Sequence, residues 1–222
     1  MNESSWELFL SSFGPLVQGA ITGTIPLALS SFAIGLVLAL ALALMRLSRR
    51  RWISNIARVY ISIVRGTPLL VQLYVIFYGL PSLGIVLDYW PSAIIAFSIN
   101  VGGYAAEVIR AAILSVPKGQ WEAAYMVGMS RSRTLSRIIL PQAARVSVPP
   151  LSNTFISLVK DTSLASLVLV TELFREAEQI AAFSQEFMLI YLQAALVYWV
   201  ICLVLSTGQG FLEKRLDRYV AR

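Results

Sequence analysis

Of the 222 residues, 57% are hydrophobic and only 14% are charged, and the mean hydropathy is +0.72. A soluble domain carries about a quarter charged residues, so a cytosolic enzyme, a disordered chain and a fibrous repeat are excluded and an integral membrane protein is expected. The net charge is +6, there is no histidine, and the one cysteine, Cys202, is set in an apolar run; an intrachain disulfide, a thiolate metal cluster, a Ser-His-Asp triad and a His-ligated zinc site are thereby excluded.

Uncharged stretches at 8–45, 66–87, 89–106, 146–159 and 187–212 locate the candidate spans; each span needs about 20 mostly apolar residues. In the first stretch Gly14, Pro15, Gly19 and Gly23 are expected to break the front part, leaving 25–45 as the membrane helix and 6–16 as a short interfacial segment. Glu3 and Glu7 stand where a secretory signal has positive charge, so no cleaved leader is expected. Span two, 56–80, contains Arg65 and, seven residues on and so on the same face, Gln72. Span three, 92–112, carries Asn100, Tyr104 and Glu107 on one stripe, with Arg110 a turn beyond Glu107 and able to pair with it. Span four, 146–171, continues across Lys160 and Asp161. Asn153, Ser157 and Lys160 form one of its stripes, and Thr154, Ser157 and Asp161 the adjoining one. Lys160 and Asp161 lie about 100° apart around the helix and cannot point one way. A loop over 171–187 leads to span five, 188–210.

Orientation follows from the basic residues. Arg46, Arg49, Arg50, Arg51 and Arg58 follow span one; Arg110, Lys118, Arg131, Arg133, Arg137 and Arg145 follow span three; Lys214, Arg215, Arg218 and Arg222 end the chain, whereas 1–20 and 81–91 have neither Lys nor Arg. Because cytoplasmic loops retain positive charge, five spans with the N-terminus outside and the C-terminus in the cytoplasm satisfy every loop. The fold class expected is therefore an all-α integral membrane protein forming a single domain over 1–222. Its basic excess is positive-inside bias, so membrane lipid and not nucleic acid is the expected surroundings.

Between spans three and four, residues 118–141 are too polar to span and too apolar for a slack linker. Trp121, Ala124, Tyr125 and Met129 recur at helical spacing, and Gly128 can turn the backbone. Leu135, Ile138 and Ile139 form a second stripe, which Pro141 is expected to end. Two short helices meeting at Gly128 would make a knuckle facing the cytosol.

Glu122-Ala123-Ala124, three residues, Gly128, nine residues, then Ile138-x-Leu140-Pro141 reproduce without departure the EAA-x3-G-x9-I-x-L-P signature. On it the chain resembles the membrane subunits of bacterial ABC importers. Arg65 through Gln72 (RGTPLLVQ), Tyr104-Ala105-Ala106-Glu107 with Arg110 through Ile113, and Lys118-Gly119-Gln120 are similar to permeases for polar amino acids, the histidine, glutamine and arginine importers. Pro149 through Asn153, Phe155 through Ala165 and Glu172 through Arg175 look most like L-cystine permeases. The resemblance implies that Glu122, Ala123, Ala124, Gly128, Ile138, Leu140 and Pro141 form a coupling helix that docks in a cleft of an ATP-binding subunit. It also implies a dimer of those subunits, a second permease chain (another copy or a paralogue), an extracytoplasmic solute-binding protein, and residence in the bacterial cytoplasmic membrane. No G-x4-G-K-[ST] loop is present, so ATP and Mg are expected on the partner subunit and no cofactor on this chain.

Ionisable residues at membrane depth cost about 2.5–3.5 kcal/mol each on insertion and therefore face a bundle interior or a cavity. The candidate substrate path is Arg65, Gln72, Asn100, Tyr104, Glu107, Asn153, Thr154, Ser157, Lys160 and Asp161, with Lys160 or Arg65 meeting a substrate carboxylate, Glu107 or Asp161 its ammonium, and Thr154 as a selectivity position. Each has a structural counterpart reading: Arg65 can snorkel to the interface, Glu107 can pair with Arg110, and Lys160 and Asp161 can fix helix register. The competing class is an autonomous ion-coupled carrier, for which the same buried charges would form the relay; it leaves the EAA segment without a purpose.

Overall fold

A computed structural model describes residues 3–217, and every regular element among them is helical. Helix α1 (Glu3–Gly19) passes through a π-turn (Ala20–Thr24) into α2 (Ile25–Arg46). Trp6–Arg46 is thus one 41-residue rod, and neither the expected break at Gly14–Gly23 nor a separate segment over 6–16 is found. The glycines serve close approach instead. A Cβ on Gly19 would stand 2.8 Å from Glu176 Cγ, and one on Gly23 2.4 Å from the Thr171 carbonyl oxygen. The backbone of 171–173 packs directly on the rod there, and tertiary packing outweighs weak local propensity.

Helix α5 (Tyr89–Ser115) crosses α2 along a buried seam of small residues, Ser31, Gly35 and Ala39 against Ser98, Gly102 and Ala106. A Cβ on Gly35 would lie 2.6 Å from Val101 Cγ1 and one on Gly102 2.7 Å from Leu38 Cδ2. In lipid, apolar transfer does not drive helices together, and such backbone proximity supplies the dispersion that does. Phe97, fully buried beside Leu27, Leu73 and Val168, fills the centre.

The segment expected as one straight span over 56–80 is two helices. Helix α3 (Arg51–Gly66) and the run from α4 (Leu69–Tyr74) to Leu83 meet at 105°. Pro68 is the cause: the residue before a proline is driven from the helical region, and Thr67 takes φ −121°, ψ 144°. The Gln72 amide nitrogen donates to the Val64 and Thr67 carbonyls at 2.8 and 3.1 Å, partnering acceptors that the break frees.

Helix α6 (Lys118–Met126) ends at a turn in which Gly128 adopts φ +77°, and α7 (Arg131–Thr134) runs through a π-turn (Leu135–Ile139) into α8 (Leu140–Asp161). Pro141 therefore does not end its helix. It stands in the first turn of α8, where the missing N–H is least disruptive, and the wider π-turn precedes it. Beyond α8 come a 3₁₀ turn (Thr162–Val168), Leu169 at φ +68°, and α9 (Leu173–Ser184), bent by 50° from the preceding run. The expected loop over 171–187 is thus mostly helix. Its buried stripe of Leu173, Ala177 and Ala181 packs on Leu16 and Ala20 and is easily overlooked among Arg175, Glu176 and Glu178. Helix α10 (Phe187–Asp217) completes the bundle. Among the described residues, three helices are long and apolar enough to cross a membrane, or five if each bent pair counts as one span.

At the turn into α9, Glu172 is fully buried. Its carboxylate accepts from Tyr198 Oη at 2.8 Å, Thr24 Oγ1 at 3.2 Å and the Arg175 N–H at 2.7 Å, joining α9 to both the rod and α10. The last bond caps α9.

Candidate functional site

The break after Gly66 opens beside α5 and α8, and a cavity of about 430 Å³ lies there. Thr67 and Pro68 contribute one wall and Asn100 and Tyr104 of α5 a second. Asn153, Thr154, Ser157 and Asp161 of α8 form the third, spaced so that one side of that helix presents its hydroxyls, amide and carboxylate to a single space. Gln72 and Arg65, expected on the path, do not line it, but each touches a residue that does. Gln72 Oε1 accepts from Asn100 Nδ2 at 3.2 Å, which fixes the asparagine amide. The Arg65 guanidinium carbon stands 5.5 Å from the Tyr104 ring centroid, a cation–π arrangement that leaves the guanidinium's in-plane donors unoccupied by the ring.

Glu107 does not face this cavity. Its carboxylate accepts from Arg46 Nε at 3.3 Å and Arg110 Nη2 at 2.7 Å, tying the ends of α2 and α5 together. Lys160 is exposed and does not line the cavity, as its angular offset from Asp161 requires. Asp161, by contrast, lines the cavity and has no ion-pair partner among the described residues. The cavity consequently offers a carboxylate without an ion pair and a set of neutral hydrogen-bonding groups, while the Arg65 guanidinium stands outside the lining, over Tyr104. Such a set can orient a zwitterion. Thr67 and Pro68 escaped sequence reasoning because 56–80 was read as one helix; the Gly-x-Pro spacing at 66–68 was the available signal, since broken helices mark binding sites in transport proteins.

A second feature occupies the end of the bundle where Arg46, Arg49, Arg50 and Arg51 gather. Ala124 is buried, while Glu122, Ala123, Tyr125 and Val127 are exposed and Met126 is 87% exposed. The α6 knuckle thus presents a carboxylate and a large apolar side chain outward. Ile138 and Leu140 point back onto Ile139 and Ala143 beneath it, while Pro141 is exposed.

A helical bundle bent at a polar cavity, with a projecting helix–turn–helix at its basic end, is the architecture of a membrane permease. Residues 31–218 match the family described as binding-protein-dependent transport system inner membrane component, and the chain belongs to that family. It is 58% identical over 218 residues to the L-cystine transport system permease protein TcyB of Bacillus subtilis (strain 168), covering 98% of this chain and 93% of the relative. It is 40% identical to the octopine transport system permease protein OccM of Rhizobium radiobacter, over 94% of this chain and 86% of that one. Among solved structures, an amino acid ABC transporter crystallised with histidines is 33% identical, with a TM-score of 0.87 over 93% of this chain and 96% of that one. The inward-facing MetNI methionine ABC transporter, 17% identical with a TM-score of 0.72 over 97% of this chain and 99% of that one, shares the fold.

Proposed function

We propose that this chain is the translocation subunit of an ATP-driven importer for a polar amino acid, with L-cystine as its substrate. It crosses the bacterial cytoplasmic membrane five times, N-terminus outside and C-terminus inside, as a single domain. The observation that carries the reading is the cavity at the 66–68 break, whose Asp161 suits an ammonium, with Arg65 over the lining residue Tyr104 suited to a carboxylate. Asn100, Asn153, Thr154 and Ser157 offer neutral contacts between those charges. The 58% identity to an L-cystine permease supports the choice of substrate.

ATP and Mg are bound by a dimer of separate subunits, and the α6 knuckle transmits their closure. Glu122, Ala123 and Gly128 make the contact, while Ala124, which the sequence also pointed to, is buried and seats α6 on the bundle with Ile138, Leu140 and Pro141 behind it. The exposed α6 face supports this, since an unpartnered Met126 and Val127 at a charged bundle end fit an interface better than water. Coupling requires that these contacts differ between the two states of the ATP-binding subunits. A second permease chain completes the path and an extracytoplasmic binding protein delivers cargo.

The test is uptake of labelled L-cystine into proteoliposomes holding the permease and the subunits that co-purify with it. Uptake that needs internal ATP and survives a collapsed proton gradient is expected; uptake that needs the gradient and no ATP supports an ion-coupled carrier instead. Capture of an ATP-binding subunit, one per permease, is expected for the unaltered chain and should be lost in Glu122→Arg and Gly128→Trp.

A further inference from the structure

Behind the α6 knuckle lies a groove of about 690 Å³ that none of the features above uses. Its floor is apolar and drawn from three elements that leave the bundle together: Leu44 and Leu47 from the end of α2, Ile113 and Val116 from the end of α5, and Trp121 of α6. Ile113 and Val116 are buried, whereas Arg49, Lys118 and Arg131, which also line the groove, are exposed. The floor is therefore hydrophobic and the rim cationic, and no carboxylate lines either.

The contrast with neighbouring arginines is informative. Arg46 and Arg110 share Glu107. Arg49, Lys118 and Arg131 have no ion pair among the described residues. Three cations lining one groove without a carboxylate in it make it attractive to an anion. The groove also sits where apolar spans give way to basic loops, with Trp121 and Tyr125 beside it, the aromatic pair expected at a membrane–water boundary.

We infer that this groove binds an anionic glycerophospholipid of the cytoplasmic leaflet, its phosphodiester among Arg49, Lys118 and Arg131 and an acyl chain along the Leu44–Ile113–Trp121 floor. A free phosphate would use the cations and leave the floor wet; a zwitterionic lipid would cover the floor and leave the cations unneutralised. Only an anionic lipid satisfies both halves. Bound there, it packs α6 against the ends of α2 and α5, so the stiffness of the coupling segment depends on lipid charge. The inference rests on the orientation proposed above.

The test is native mass spectrometry of the full chain, purified with whatever subunits accompany it and exchanged into detergent containing phosphatidylglycerol or phosphatidylcholine of identical acyl chains. Retention of phosphatidylglycerol over phosphatidylcholine is expected, reduced about fivefold by each of Arg49→Gln, Lys118→Gln and Arg131→Gln and about a hundredfold by the triple variant, while the Arg133→Gln/Arg137→Gln control retains it. Leu114→Trp, which fills the groove from an exposed position and leaves the cations intact, should also lose the lipid; this keeps the test decisive if the triple variant misfolds. Equal retention of the two lipids, displacement of phosphatidylglycerol by inorganic phosphate, or exclusion of lipid once an ATP-binding subunit is bound each overturns the inference. Capture of the ATP-binding subunit is scored on the same samples. A chain that captures it but shows no lipid preference refutes the lipid site alone, and one that prefers the lipid but captures nothing refutes the coupling role alone.

Discussion

Glu107 and Asp161 are carboxylates within apolar helices, each followed or preceded by a basic residue, and they meet opposite surroundings. Glu107 holds Arg46 and Arg110 and closes the junction of α2 and α5. Asp161 faces a cavity and makes no ion pair among the described residues, although the charge of its exposed neighbour Lys160 is near enough to act on it. A charge at membrane depth is thus a sign of cost, and the cost is met either by a fixed partner, which makes the group structural, or by a visiting one, which makes it a binding group. The same distinction separates Arg46 and Arg110 from Arg49, Lys118 and Arg131.

If that division is right, removing Glu107 should harm the fold and removing Asp161 should harm transport. The largest effect is expected for Glu107→Ala, which strands two guanidiniums and should cost about 2–4 kcal/mol of stability in equilibrium unfolding by SDS, somewhat less than a fully buried pair because the groups are part-exposed. Asp161→Asn should reduce L-cystine uptake at least about tenfold, equivalent to about 1.4 kcal/mol of substrate interaction, with unfolding unchanged within about 0.5 kcal/mol. An Asp161 variant that unfolds readily but transports normally would reverse the assignment. Tyr198→Phe leaves Glu172 with its Thr24 and Arg175 bonds, and should lower stability by about 1 kcal/mol with no change in substrate preference. Tyr104→Leu releases Arg65 from its ring and should cost only about 0.5 kcal/mol in unfolding, while weakening uptake through the altered guanidinium position. A larger stability loss there would make Arg65–Tyr104 a structural pair like Glu107–Arg110.

The cavity is partly legible in the sequence. Asn153, Thr154, Ser157 and Asp161 share a face because helical periodicity makes them do so, and Asn100 and Tyr104 follow the same rule on α5. What escaped was the wall made by Thr67 and Pro68. Reading 56–80 as one helix placed Arg65 and Gln72 on a common face, whereas the bend at Pro68 turns Gln72 back onto Thr67 and Val64 and sends Arg65 over Tyr104. Helix α9 was missed for another reason. Its buried stripe is only three residues long and is surrounded by charge, and it becomes a helix surface because Gly19 and Gly23 let it approach the rod.

Composition, periodicity and the EAA spacing were enough to assign a helical membrane protein and the family whose model matches residues 31–218, because hydropathy and short-range spacing are properties of the chain itself. Whether a glycine breaks a helix or admits a neighbour, whether Pro141 ends an element or begins one, and whether a buried charge is paired or open to a cavity depend on what packs against each residue. Some of those contacts join positions more than a hundred residues apart, such as Thr24 with Glu172. Local preferences of about 1 kcal/mol or less per residue yield to packing of that kind, so only the tertiary structure could decide them.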